Sequence, residues 1–126
     1  MEQEEMMAHL YIFGTILFTV YGQLVIKWRV PFHGALPGEL LPKLIFLLKL
    51  FFDPFIMSGF VAAFLASLCW MAAMTAFDLS YAYPFMGLNF VLVFLASAIL
   101  LNEQVTLYKV VGLSLIVLGI VISSRG

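Results

Sequence analysis

The chain has 126 residues, of which 64% are apolar and only 10% are charged, and its formal net charge is −1. Soluble domains average about 45–50% apolar and ~25% charged residues, so a compact chain of this size has too few polar groups to cover its surface. The composition excludes a water-soluble enzyme and a disordered chain. It also excludes a nucleic-acid binder, because six cations are too few for a basic patch. An integral membrane protein remains.

Four apolar segments predict an all-α membrane protein with four transmembrane helices in one domain, residues 1–126. Each span needs ~20 predominantly apolar residues. We place the helices at about 8–28, 54–77, 79–101 and 104–123. The connections after the second and third spans are too short to hold a soluble domain, so any function must reside in the bundle.

The connection between the first and second spans contains a further apolar segment, Leu40 to Phe52. At ~1.5 Å per residue it is too short to cross a bilayer. On a helical wheel the charged residues fall on one arc of ~120°. They are Glu39, Lys43, Lys49 and Asp53. This pattern predicts an amphipathic helix at about 39–52 in the membrane interface, with Asp53 and Pro54 as N-cap and first residue of the next span.

The cations predict the orientation of the bundle. If the first and third connections are cytoplasmic, that side carries five of the six Lys and Arg residues, and the other side carries only Arg125. Lys and Arg are concentrated in the cytoplasmic loops of membrane proteins. We therefore predict a multi-pass protein with both termini on the non-cytoplasmic side.

Polar residues inside the spans are candidates for a ligand site, because a polar side chain that faces lipid is costly. Thr19, Gln23 and Lys27 recur every four residues and therefore share one helix face. This stripe either lines a ligand path that ends in a cation, or Gln23 joins two helices while Lys27 extends to the lipid headgroups. Asn89, near the middle of the third span, either contacts substrate or joins helices.

The beginnings of the third and fourth spans supply further candidates. Tyr81, Tyr83 and Pro84 open the third span, where tyrosines are typical of membrane interfaces and a proline shapes the backbone. Glu103 either stabilises the N-terminus of the fourth helix or forms an ion pair with Lys27. The sequence carries no catalytic constellation, metal-ligand cluster or cofactor motif, so we predict no enzyme, no metal and no cofactor.

Small residues in the fourth span predict an oligomer contact. Gly112 and Gly119 share a helix face, and small residues let helix backbones approach closely. Together with Leu115 and Ile116, they form the candidate dimer-contact face.

Three motifs resemble the EamA-type four-helix members of the drug/metabolite transporter superfamily. They are Gly22-Gln23-Leu24 followed by Lys27, Leu79 to Pro84 with Leu88-Asn89-Phe90, and Asn102-Glu103 before a glycine-spaced fourth span. The stretch from Ala82 to Val91 is most similar to the small paired subunits that flip 4-amino-4-deoxyarabinose-phosphoundecaprenol. The fourth span also resembles the dimer-forming helix of the small multidrug resistance transporters.

One difference from the small multidrug resistance transporters indicates the charge of the transported head group. Small multidrug resistance proteins carry a glutamate in the first helix that exchanges protons against cationic drugs, and here Thr19 stands at the matching position. A threonine holds neither a proton nor a negative charge near neutral pH. An anionic head group therefore fits this chain better, with Lys27 and Arg29 as the candidates to pair with a phosphate at the membrane face.

The resemblance implies a transporter or flippase subunit of the bacterial inner membrane that moves a polyprenyl-phosphate-linked sugar between leaflets. The implied partners are this lipid and a second four-helix protomer, because one protomer forms at most half of a transport pathway in this superfamily. The cation bias favours a parallel homodimer, or a heterodimer with a related subunit. Two other functions stay open: an exporter of small cations or metabolites, and a non-transporting accessory subunit.

Overall fold

The computed structural model describes the backbone of residues 2–125 and the side chains of residue 3 and residues 6–125. Met1 and Gly126, which the expected domain includes, lie outside the described residues. The helices are α1 (Glu2–Arg29), α2 (Leu40–Phe51), α3 (Pro54–Met74), α4 (Leu79–Ala82), α5 (Leu88–Leu100) and α6 (Leu107–Ser123). Two 3-10 turns, Val30–His33 and Tyr83–Gly87, follow α1 and α4. Residues 2–125 contain no strand, and the all-α class is confirmed.

Three segments are long and apolar enough to cross a bilayer: Met6–His33, Pro54–Met74 and Leu79–Leu100. The fourth apolar helix, α6, has 17 residues and is about 25 Å long, at the lower end of the range for a spanning helix. It begins at Leu107 rather than at residue 104, because the Thr106 hydroxyl accepts a hydrogen bond from the Lys109 amide and caps the helix. The chain is a multi-pass membrane protein.

The third apolar segment differs from the continuous helix expected at 79–101. Pro84 has no amide hydrogen to donate to the carbonyl of Ser80, and its ring crowds the preceding turn. The backbone therefore tightens into the 3-10 turn Tyr83–Gly87 before α5 begins. This turn places Gly87 against α6, where an added Cβ would lie 2.9 Å from the side chain of Ile120.

The antiparallel helices α1 and α3 pack closely because glycines meet at their crossing. A Cβ on Gly22 would lie 3.0 Å from the carbonyl oxygen of Gly59, and a Cβ on Gly59 would lie 2.9 Å from Val25. Thr15 adds a polar contact, since its hydroxyl lies 2.9 Å from the carbonyl oxygen of Tyr11 and 3.4 Å from that of Ala66. Small residues thus bring the two backbones together, as is common between membrane helices.

The hydrophobic core lies toward the N-terminal end of α1. Its buried residues are Ile12 and Ile16 from α1, Ala73 from α3 and Ala82 from α4. Helix α6 packs mainly against the 3-10 turn Tyr83–Gly87 and, to a smaller extent, against α5. A wide space therefore remains between the α1–α3 pair and α6.

The connection at residues 39–52 contains a helix that cannot cross a membrane. Helix α2 has 12 residues and a length of about 18 Å. Leu40 and Leu41 are strongly exposed, whereas Leu50 is buried against the bundle. An amphipathic helix of this length fits the membrane interface.

Candidate functional site

The space between the α1–α3 pair, the turn Tyr83–Gly87 and the second half of α6 is a cavity of about 970 Å³, here called the central cavity. Its wall combines neutral polar and aromatic side chains, and no charged residue of the described chain lines it. The polar lining residues are Thr15, Thr19, Gln23, Ser67, Asn89 and Ser123, and the aromatic ones are Phe60, Trp70, Tyr83 and Phe90; glycines and aliphatic residues form the rest of the wall. Small-molecule sites typically measure about 300–1,000 Å³, so this cavity can hold a head group.

The structure brings five of the eight predicted substrate-binding residues together around the central cavity. They are Thr19, Gln23, Tyr83, Pro84 and Asn89. Thr19 and Gln23 share the wall because they are one helical turn apart on α1. The side of α1 that carries this polar pair therefore faces the cavity.

Three predicted site residues lie elsewhere. Lys27 is exposed one turn beyond Gln23, outside the wall of the cavity. Tyr81 lies toward the opposite end of α1, with its hydroxyl oxygen 3.2 Å from Nε2 of His9. Glu103 is exposed in the connection before α6, and no ion pair joins it to Lys27 among residues whose side chains are described.

The position of Glu103 follows from how α5 ends. Asn102 adopts a left-handed conformation with φ of 55°, a conformation common after the last residue of a helix. The amide of Glu103 then donates to the carbonyl of Ser97 at 3.2 Å. Glu103 thus belongs to the C-terminal cap of α5, and its expected position at the N-terminus of the fourth helix is wrong because Thr106 caps α6.

The expected dimer-contact face is divided between two sides of α6. Ile116 and Gly119 line the central cavity, and Ile116 lies against the position of Gly87. Leu115, in contrast, is 63% exposed and does not line the cavity. Nothing lies within 4 Å of a Cβ added at Gly112 or at Gly119, so no other part of the described chain packs closely on either glycine. The packing of α6 on the 3-10 turn accounts for this division, since it directs one side of the helix inward.

Asn89 has hydrogen-bonding capacity that the described residues leave unused. Its Oδ1 atom is buried without a hydrogen-bond partner among them, and its Nδ2 atom lies 4.0 Å from Sδ of Met86. A buried amide without a good partner is costly in an apolar setting. Asn89 lines the central cavity, so its unused amide oxygen can accept a hydrogen bond from a polar ligand bound there.

Sequence reasoning missed a charged cluster at the end of the bundle where α1 ends and α3 begins, here called the Asp53 cluster. Arg29 Nε donates to Asp53 Oδ2 at 2.9 Å, and Nε2 of His33 lies 2.6 Å from the same oxygen. The other carboxylate oxygen accepts from the amides of Phe55 and Ile56. The expected N-cap role of Asp53 is confirmed, but nothing in the sequence pattern indicated that Arg29 and His33 converge on it.

Hydrogen bonding dominates the electrostatics of the Asp53 cluster. Burial of the Asp53 carboxyl opposes its ionisation, but the hydrogen bonds from Arg29, His33 and two backbone amides outweigh that effect. They hold the pKa of Asp53 well below its usual range. The Arg29 guanidinium also lies 4.7 Å from the ring centres of Phe32 and Phe55. The guanidinium of Arg29 is therefore already paired with Asp53 and in contact with two aromatic rings.

Comparison with known protein families decides the affiliation of the chain. The family model described as EamA-like transporter family matches residues 3–125. The chain belongs to the EamA-like transporter family. The resemblance of its motifs to this family is thereby confirmed.

Curated relatives of this EamA-family chain cover nearly its whole length. It is 34% identical over 121 residues to the probable 4-amino-4-deoxy-L-arabinose-phosphoundecaprenol flippase subunit ArnF of Erwinia tasmaniensis, with 92% of this chain and 93% of the relative covered. It is 32% identical to ArnF of Photorhabdus laumondii, with 91% and 96% covered. It is 30% identical to subunit ArnE of Pseudomonas aeruginosa, with 94% and 98% covered. No solved structure matches the chain significantly.

Proposed function

We propose that this EamA-family chain is a flippase subunit that moves a polyprenyl-phosphate-linked sugar between the leaflets of the bacterial inner membrane, without catalysing a reaction. The single observation that carries the proposal is the central cavity, whose uncharged wall within the described chain sets polar and aromatic side chains among aliphatic ones. A sugar offers hydroxyl groups to amides and hydroxyls, and apolar ring faces to aromatic side chains. The names of the curated relatives support this substrate class.

Gln23 and Asn89 are the central hydrogen-bonding groups of the proposed site. Both carry amides that donate and accept, so both can bond to sugar hydroxyls in either direction. Trp70 and Tyr83 stand beside them as an edge-to-face pair with ring centres 6.1 Å apart. Side chains of these types hold the sugar by hydrogen bonds and by contact with its apolar face.

Lys27 binds the phosphate at the mouth of the cavity in this proposal. It lies one turn beyond Gln23 on the same face of α1, so a sugar beside Gln23 brings its phosphate near the ammonium group. Arg29 is engaged by Asp53 and two aromatic rings, whereas Lys27 is exposed and forms no ion pair among the side chains that the structure describes. The isoprenoid tail stays in the lipid outside the open side of the cavity.

The cavity wall argues against the alternative of a proton-coupled cation exporter. Such an exporter needs a carboxylate on its substrate path, and no Asp or Glu of the described chain lines the central cavity. A non-transporting accessory subunit is distinguished by experiment, since it would bind no lipid phosphate and flip no lipid.

A second protomer completes the pathway in this proposal, either another copy in parallel or a related four-helix subunit. The outward side of α6 supports an interface, because Leu115, Leu118 and Ile122 are exposed on one helix face. Five of the six Lys and Arg residues belong to the end that contains the Asp53 cluster. This bias favours a cytoplasmic position for that end and both termini outside the cytoplasm.

Flipping of a labelled polyprenyl-phosphate sugar in proteoliposomes tests the proposal, with any co-purifying subunit retained. We expect Gln23→Ala and Lys27→Ala each to lower the initial rate about tenfold or more, as loss of one hydrogen bond to a charged or buried group predicts. Lys109→Ala serves as the matched control, because this lysine is exposed on α6 and does not share the face of α1 that carries Gln23. Unchanged rates in both Gln23→Ala and Lys27→Ala would contradict the proposed mechanism.

A further inference from the structure

A second, smaller cavity lies at the end of the bundle opposite to the Asp53 cluster. It measures about 470 Å³ and is here called the end cavity. Its wall includes His9, Phe77, Asp78, Ser80, Tyr81 and Ser123. In contrast to the central cavity, it contains a carboxylate.

The Asp78 carboxylate is not used by the local backbone. Asp78 occupies the N-cap position of α4, but its side chain makes no capping hydrogen bond, and the residue is exposed. Arg125, two residues beyond Ser123, forms no ion pair with it among the described side chains. The charge of Asp78 is therefore accessible to a ligand.

Aromatic rings share the wall of the end cavity with this carboxylate. The rings of Phe77 and Tyr81 lie 5.1 Å apart, and the His9 ring lies 4.8 Å from Phe77. The contact between Nε2 of His9 and the Tyr81 hydroxyl helps to fix the position of the tyrosine. A carboxylate beside aromatic rings and hydroxyl groups is the combination that recognises an ammonium group, through a charge-assisted hydrogen bond and cation–π attraction.

The two cavities adjoin at one residue. Ser123, at the C-terminal end of α6, contributes to the walls of both. His9 and Lys27 are 18 residues apart on α1, a separation of about 27 Å, so one head group cannot reach both ends of the bundle at once. The end cavity is therefore a second, separate place in the bundle, and it shares Ser123 with the central cavity.

We infer that the end cavity is a binding site for a protonated primary amine, and that Asp78 selects head groups that carry one. The inference rests on the proposed function and extends it, because it assigns a primary amine to the cargo and a second site where the cargo binds. The central cavity binds the neutral part of the sugar. The end cavity receives the ammonium group after the sugar has moved past Ser123.

Binding of two soluble probes without phosphate tests this site directly. The probes are the methyl glycoside of an aminosugar and the matched methyl glycoside with a hydroxyl in place of the amine, titrated by NMR against the protein in nanodiscs. We expect the wild type to bind the aminosugar about tenfold more tightly, the size of one accessible charge-assisted contact. Asp78→Asn should remove this preference and leave the affinity for the hydroxyl probe unchanged. Asp78→Glu should keep the preference.

Two further variants make the result specific. Glu39→Gln removes an exposed carboxylate at the other end of the bundle and should keep the amine preference. Tyr81→Leu keeps the carboxylate but removes an aromatic face, and should reduce the preference. Helix content and thermal unfolding of Asp78→Asn should match the wild type, because the Asp78 side chain makes no capping bond.

The outcomes separate this inference from the proposed function. A wild type without amine preference, or an Asp78→Asn variant that retains it, overturns the assignment of the end cavity. Flipping that depends on Gln23 and Lys27 would still support the flippase function in that case. The opposite result is an amine preference that depends on Asp78, together with a flipping rate that does not depend on Gln23 or Lys27. This result would support the end-cavity site and contradict the proposed flippase mechanism.

Discussion

Arg29 Nε and Asp53 Oδ2 lie 2.9 Å apart, and this ion pair ties the end of α1 to the beginning of α3 across the amphipathic connection. The 23 residues between the two partners include α2, which packs on the bundle mainly through its C-terminal residues. The side chain of Asp53 is 3% exposed, so the pair is partly shielded from water. The ion pair therefore holds the two ends of the connection that contains α2 close together.

Loss of the arginine should loosen this end of the bundle. We expect Arg29→Ala to lower the thermal unfolding midpoint in detergent by several degrees, because Asp53 would lose a hydrogen bond and Phe32 and Phe55 would lose their contact with the guanidinium. Arg125→Ala is the matched control, since Arg125 is exposed and makes no described ion pair. Equal midpoints for Arg29→Ala and the control would argue against a structural role of the pair.

The Asp53 contribution to stability should depend on pH only in the acid range. Because the folded pKa of Asp53 lies below its unfolded value of 3.8, its stabilising effect is present above that value and is lost as the pH falls toward the folded pKa. The difference in unfolding midpoint between wild type and Asp53→Asn should be the same at pH 7 and pH 5 and should shrink below about pH 4. Both proteins should carry His33→Gln, so that the difference reports only the carboxyl and its contacts with Arg29 and the backbone amides. A difference that already declines between pH 7 and pH 5 would show that the carboxyl is not held as described.

The glycine crossing of α1 and α3 should tolerate no side chain. A Cβ on Gly22 would meet the carbonyl oxygen of Gly59 at 3.0 Å, and backbone cannot move aside without separating the helices. We expect Gly22→Ala to reduce the free energy of unfolding by about 1–3 kcal/mol, as measured by steric trapping in bicelles. Gly38→Ala is the control, because nothing lies within 4 Å of a Cβ at that loop position. A Gly22→Ala protein as stable as the control would contradict the close approach.

Cysteine crosslinking should reveal how protomers associate through α6. Tyr108 lies at the beginning of this helix and is 92% exposed, and Ser124 follows its end. In a parallel pair of identical copies, Tyr108→Cys should crosslink with itself, in a background where Cys69 is replaced by serine. Efficient linking of Tyr108→Cys to Ser124→Cys would instead reveal an antiparallel pair. Absence of any link, with the native mass of a heterodimer, would support a related second subunit.

Residue type and helical spacing were sufficient to locate much of the central cavity. Gln23 was predicted because it belongs to a polar stripe on one helix face, and Asn89 because an amide in the middle of a membrane span must find a partner; both line the cavity. Tyr81 and Tyr83 were predicted for one site, but residues two apart on a helix point to nearly opposite sides. Tyr83 accordingly lines the central cavity and Tyr81 the end cavity.

The remaining differences arise from tertiary packing, which a single sequence does not encode in a readable pattern. The Asp53 cluster requires that α1, the turn after it and α3 come together, and the spacing of Arg29, His33 and Asp53 has no periodicity that indicates this. The side of α6 that faces inward is set by contact with the turn at Gly87, which itself depends on the interruption at Pro84. Such contacts join elements that are distant along the chain.

The neutral wall of the central cavity has an energetic consequence for the proposed flippase. No described group that gains or loses a proton near neutral pH lies on that wall. The wall therefore provides no group that could exchange a proton as the sugar passes. In the proposed function, the driving force for net movement must therefore act outside this wall: in the end cavity, in a second protomer, or in the difference in lipid concentration between the two leaflets.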